Sequence, residues 1–119
     1  MKVKNIMTSN PITINKNAKV NQAIKLLSLH EIGRLLVLDG EKLIGVVTDG
    51  DLMVEEDHSS NLKQFMSENL IICHEEDSIE EVARKLKDYQ IGGLPVFNSK
   101  ERLVGIVTVE DIVYRYVAE

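Results

Sequence analysis

The sequence predicts an α+β fold built from two copies of a β-α-β-β-α unit, the copies packed against each other with pseudo-twofold symmetry. The first observation behind this is a repeated stretch, Gly45-Val46-Val47-Thr48-Asp49-Gly50-Asp51-Leu52 returning as Gly105-Ile106-Val107-Thr108-Val109-Glu110-Asp111-Ile112. The second is a pair of segments with apolar residues at helical spacing, Val20, Ala23, Ile24, Leu27 and Ile79, Val82, Ala83, Leu86, each of which presents one stripe to a core. The third is an almost unbroken apolar run after each helix, residues 33–38 and 92–97, which reads as a buried strand. Sequence halves are accordingly set at 1–58 and 59–119, neither large enough to fold alone and together enough for one shared core.

In chain order, each half begins with a short helical turn ending in Met, at residues 3–7 and 62–66, followed by a polar loop. A brief strand is expected at 12–14, entered through Pro11, and at 70–73. The helices come next, and Asp77 with Glu80 three residues on is the expected cap of the second. The two strands of each half are joined by a turn at Asp39-Gly40 or Asn98-Ser99, short enough for a hairpin, and the second copy carries one added residue near Ser99-Lys100. A helix closes each half, short at 51–54 and longer at 110–117. Pro95 suits a strand end or an edge, and the polar residues 55–61 read as a linker.

Bulk composition narrows the function. Of 119 residues 44% are apolar and 28% charged, which excludes a disordered chain. A net charge of −5, an aromatic share of 4% and no Trp argue against nucleic acid, which needs basic excess or stacking platforms. Cys73 is the one cysteine, so there is no internal disulfide and no Cys-x-x-Cys pair, and with no run of membrane-spanning length the expectation is a soluble cytoplasmic protein. Cys73-His74 and the acidic residues 55–58 do not make a metal site, because adjacent strand residues face opposite ways and acidic linkers are ordinarily solvated. No nucleophile with its base, acid pair or Walker loop is present, so the chain is expected not to be an enzyme.

The chemistry-bearing feature is Thr-x-x-Asp at a strand-to-helix junction, Thr48 to Asp51 and Thr108 to Asp111. A carboxylate there can accept from two adjacent hydroxyls of a sugar, and a Thr hydroxyl can donate to a phosphate oxygen. The same spacing is also a capping box that satisfies the helix itself, and the two uses are compatible.

The repeated order of elements, with Met-Thr-Ser-Asn-Pro-Ile-Thr at 7–13, Gly-Arg-Leu-Leu-Val at 33–37 and Gly-Val-Val-Thr-Asp-Gly-Asp at 45–51, resembles a pair of cystathionine-β-synthase (CBS) domains, a Bateman module, over nearly the whole chain. The resemblance implies a stand-alone regulatory module that binds AMP, ADP, ATP or S-adenosylmethionine in two clefts between the repeats, signals occupancy to a partner protein, and forms a homodimer. It implies one cleft of Thr8, Ile12, Thr13, Gly33, Arg34, Thr108, Glu110 and Asp111, and a second of Ser67, Ile71, Ile72, Gly92, Gly93, Thr48, Gly50 and Asp51. Asp51 and Asp111 are its ribose acceptors, Ile12 and Ile71 sandwich adenine, and Arg34 marks the cleft favoured by a phosphate-bearing ligand. The rival reading is a ligand-free dimerisation or protein-interaction module.

Overall fold

The structure is a computed structural model that describes residues 1–53 and 57–118. Val54 of the second expected helix, and Glu55 and Glu56 of the expected linker, lie outside the described residues. In chain order the elements are a 3-10 turn (Val3–Asn5), β1 (Thr8–Ser9), β2 (Thr13–Asn15), α1 (Val20–His30), β3 (Arg34–Asp39), β4 (Lys42–Thr48), α2 (Asp49–Met53), a second 3-10 turn (Leu62–Gln64), β5 (Cys73–His74), α3 (Ile79–Tyr89), β6 (Gly93–Phe97), β7 (Leu103–Thr108) and α4 (Val109–Ile112), which runs into a π-helical turn (Val113–Val117). Among the described residues no helix is long and apolar enough to cross a membrane.

These elements form two compact units, one of Ile12–Leu70 and one of Met1–Pro11 with Ile71–Glu119. Each unit therefore takes its opening 3-10 segment from the other sequence half.

In the 12–70 unit, β2 runs parallel to β3 and β3 antiparallel to β4. The stripe of α1 buries Val20, Ala23 and Leu27 against Leu35, Val37 and Val47, and Leu62 of the borrowed 3-10 turn is fully buried in the same cluster. The polar residues expected to act as a linker cap a helix instead: the N–H groups of Val20 and Asn21 donate to the carbonyls of Ser60 and His58. That supplies acceptors at a helix start where the N-cap residue, Lys19, makes no side-chain cap bond.

In the other unit the sheet order is β1-β7-β6-β5, and Ile79, Val82 and Leu86 of α3 pack on Leu94, Val96 and Val107 together with Val3 and Ile6. Ala83, placed in the apolar stripe by its spacing, is exposed. The cap of α3 is Ser78, whose hydroxyl accepts from Glu81 N–H, whereas Asp77 turns its carboxylate back to accept from His74 N–H. Ser78 directly precedes the first helical residue, so its short side chain reaches the third helical N–H and Asp77 lies one position too early. Residues 8–9, expected as loop, pair with Ile106 and Gly105 of β7. Lys2 and Lys4 both bond Glu76, and these bonds hold its exposed carboxyl down to about 2.

Two glycines explain how the borrowed segments dock. A Cβ on Gly105 would lie 2.8 Å from both Met7 Sδ and the Thr8 carbonyl oxygen, and one on Gly45 would lie 2.7 Å from Met66 Sδ and 3.0 Å from the Ser67 carbonyl oxygen. The two hairpins carry a bulge at the same place, beside these glycines. So Met7 and Met66 fill the hollow left by a missing side chain, and β1 and the Val46–Ser67 bridge follow from that close approach.

The halves differ at the first strand. Leu36 N–H donates to the Ile12 carbonyl, and Pro95, at the matching position, has no N–H to offer Ile71. The strand expected at 70–73 accordingly shrinks to Cys73–His74, and Pro95 is tolerated inside β6 because the neighbouring strand has not yet begun there. The free Ile72 carbonyl is taken up by Lys85 Nζ at 2.9 Å.

Cys73 is buried in this core, and burial, helped by the Asp77 charge, pushes its thiol up to about 12. The thiolate is therefore disfavoured in the folded state only. Stability is unaffected below the ordinary value near 9 and falls as pH climbs from there towards 12. A disulfide reagent at pH 8 should label Cys73 only as fast as the protein opens, and in guanidinium at the rate of a free thiol; fast labelling of the folded chain would contradict this burial.

Candidate functional site

The repeated motif folds the same way twice. β4 ends at Thr48, whose N–H donates to Asp51 Oδ2 at 2.9 Å while Asp51 N–H donates back to Thr48 Oγ1 at 3.2 Å. β7 ends at Thr108, with the same two bonds to Asp111 at 2.9 and 3.2 Å. A reciprocal box of this kind satisfies two helix-start N–H groups and fixes the carboxylate at the corner. Each corner is also tied to the start of the preceding strand: Asp49 N–H donates to the Gly33 carbonyl, and Val109 N–H to that of Gly92, both at 2.9 Å. Arg34 is the cross-strand partner of Thr48, and Gly93 that of Thr108.

Within the 12–70 unit the structure thus gathers Gly33, Arg34, Thr48, Gly50 and Asp51 at one corner. Ile12 precedes β2 and Thr13 opens it, both half-buried, and exposed Ser67 bridges Val46. Within the other unit it gathers Thr8, Gly92, Gly93, Thr108, Glu110 and Asp111, with Ile71 and Ile72 half-buried ahead of β5. Arg34 therefore shares a unit with Asp51, and Gly93 with Asp111, whereas the family resemblance groups each with the other carboxylate.

The two carboxylates have different surroundings. Asp51 is exposed, and among the described residues its one acceptor bond is the one from Thr48 N–H. Asp111 is 8% exposed. Its Oδ2 accepts from both the N–H and the hydroxyl of Thr108, its Oδ1 accepts from the Thr8 hydroxyl at 3.3 Å, and Arg115 Nε lies 3.8 Å from the same oxygen. Arg115 Nη1 donates in addition to the carbonyls of Ile6 and Met7, at 3.2 Å each.

Arg115 is the residue that sequence reasoning missed. Its position four residues after Asp111 on a helix is a readable ion-pair spacing, but the two carbonyls it binds are more than a hundred residues away. Among the described residues no three His, Cys, Asp or Glu side chains converge as a metal site would require.

Comparison with known proteins places the chain in a family. The family model for the CBS domain matches residues 3–57 and again 62–118. Among curated proteins, L-aspartate semialdehyde sulfurtransferase of Methanocaldococcus jannaschii is 37% identical over 112 residues, covering 92% of this chain and 22% of that protein. A CBS domain-containing protein of Dictyostelium discoideum is 31% identical over 126 residues, covering 92% of this chain and 87% of that one. The chain spans only 22–24% of the length of the first curated relatives it matches, which are enzymes. Among solved structures, the CBS domain pair of protein MJ0100, in complex with 5′-methylthioadenosine and S-adenosyl-L-methionine, superposes with a TM-score of 0.90 at 34% identity, covering 99% of this chain and 97% of that one.

Proposed function

We propose that this chain, which belongs to the CBS-domain family, is a regulatory module that binds an adenosine-type ligand and passes its occupancy to a partner protein. The observation that carries the proposal is the hydroxyl-and-carboxylate corner built twice, at Thr48 with Asp51 and at Thr108 with Asp111. The ligand class is supported by the MJ0100 pair, which is similar over almost its whole length and holds two adenosine derivatives.

In this proposal Asp51 and Asp111 each accept both hydroxyls of a ribose, a charge-assisted pair of hydrogen bonds that neutral side chains do not match. Thr8, Ile12, Thr13, Gly33, Arg34 and Glu110 serve with Thr108 and Asp111, and Ser67, Ile71, Ile72, Gly92, Gly93 and Gly50 with Thr48 and Asp51. AMP, ADP, ATP and S-adenosylmethionine are the candidate ligands, and the repeats at 1–58 and 59–119 act together as one Bateman module. No catalysis is assigned to the chain, and a cytoplasmic setting is part of the same reading. Occupancy shifts the chain towards whichever arrangement binds ligand better, and a partner that prefers that arrangement is linked to it.

Isothermal titration with AMP, ATP, 5′-methylthioadenosine and S-adenosylmethionine tests this. Saturable heat from at least one, reduced in Asp51→Ala and abolished in the double variant with Asp111→Ala, is the expected result. Silence from all four overturns ligand sensing and favours the association reading. That second reading has its own support in the exposed Leu29, Met53, Val109, Val113, Tyr114 and Val117, which suit a homodimer contact. A monomer mass in solution at micromolar concentration would refute the dimer.

A further inference from the structure

We infer that Thr8 and Arg115 form a latch on the Asp111 carboxylate, so that the two corners fill in a fixed order, Asp51 before Asp111. This rests on the proposed adenosine-ligand reading and changes one role in it: the Thr8 hydroxyl, counted there with the Asp111 cleft, competes with the ligand for the carboxylate.

A ribose diol brings two donors and needs carboxylate lone pairs that are not already engaged. At Asp51 one oxygen accepts a backbone N–H, and the group is exposed. At Asp111 Oδ2 already accepts two donors, and Oδ1, the oxygen left for a ligand, is held by the Thr8 hydroxyl with the Arg115 guanidinium beside it. The positions of Thr8 and Arg115 correspond to Ser67 and Glu55 in the other copy. Ser67 Oγ accepts from Asn69 N–H and makes no bond to Asp51. A Glu in place of an Arg offers no cation to a carboxylate.

The latch is part of a larger clasp. Arg115 also bonds the carbonyls of Ile6 and Met7, so the residues that guard Asp111 hold the 1–11 segment on its unit. A diol that takes Asp111 Oδ1 displaces the Thr8 hydroxyl, and the hold on that segment weakens. By linkage, loosening the segment makes Asp111 easier to occupy.

The test uses the whole chain, AMP and 5′-methylthioadenosine as probes, and Asp51→Asn to isolate the guarded corner. Thr8→Val keeps the shape of the side chain and deletes its hydroxyl. In the Asp51→Asn background it should tighten binding by about threefold to tenfold, the worth of one modest hydrogen bond. A general loss of folding cannot produce tighter binding. Weaker or unchanged binding would overturn the latch, and so would a wild-type high-affinity site that survives Asp51→Asn and disappears in Asp111→Asn. Hydrogen exchange separates the latch from the function it serves. Arg115→Ala should speed exchange at the Val3 and Lys4 amides, which donate to the Asp77 and Glu75 carbonyls. If neither probe binds any variant but those amides respond, the adenosine reading fails while the clasp stands; if they do not respond, the clasp itself is wrong.

Discussion

Replacing Gly105 by alanine is expected to destabilise the protein by about 2–3 kcal/mol, the upper part of the range for forcing atoms into a packed site. The added Cβ would meet the Thr8 carbonyl oxygen and Met7 Sδ, both at 2.8 Å. A methionine tip can swing aside, but the Thr8 carbonyl belongs to a strand paired with β7 and has nowhere to go without breaking that pairing. The loss should therefore appear as a melting temperature lower by roughly 10 °C, with faster hydrogen exchange at residues 3–9. Met7→Ala added to Gly105→Ala should recover little. At Gly45 the closest atom is Met66 Sδ, with the Ser67 carbonyl at 3.0 Å, so Gly45→Ala should cost less, about 1–2 kcal/mol, and Met66→Ala should recover part of it. Gly50→Ala is the control, since its Cβ would meet nothing nearer than 3.8 Å. Equal effects at Gly105 and Gly50 would mean that the leading segment is not held by close approach to β7.

Those glycines also mark where the sequence stops being legible. The duplication, the helical stripes and the apolar strands could be read because they depend on the periodicity of neighbours along the chain, and they fold as α1, α3 and the two hairpins. Which segment covers Gly45 and which covers Gly105 depends on contacts between residues about 20 and about 100 positions apart, for which periodicity carries no signal. Pro95 was visible, but its effect falls on another strand, because the N–H it lacks is the one that Leu36 supplies to Ile12 in the first copy. Residue type favours Asp77 as a cap, but position gives that role to Ser78.

The candidate site divides along the same line. Thr48, Asp51, Thr108 and Asp111 were readable because a capping box is local, and both boxes form as spaced. That one carboxylate holds a single acceptor bond and the other several was not, since the Thr8 contact to Asp111 joins residues 103 positions apart. Composition cannot distinguish two copies of one motif; their distant neighbours do.

Removing the Asp111 carboxylate should accordingly cost far more than removing that of Asp51. Asp111→Ala strips the acceptor from one backbone N–H and two hydroxyls and leaves Arg115 without its carboxylate, all around a group only 8% exposed. Unsatisfied donors in such a place, with the cap lost as well, amount to about 2–3 kcal/mol. Asp51→Ala loses one acceptor bond at an exposed corner, where water replaces it, and about 1 kcal/mol or less is expected. Urea midpoints decide this directly, and the slopes should stay unchanged. The contrast matters for function as much as for folding. A carboxylate that is heavily used by its own protein is a costly one to lend to a ligand, whereas one that contributes little to stability can be engaged at little cost to the fold. Equal destabilisation by the two substitutions would remove the energetic ground for an ordered filling of the corners; a large difference together with the tighter of the two binding events lost in Asp51→Ala would connect that asymmetry to the proposed adenosine site.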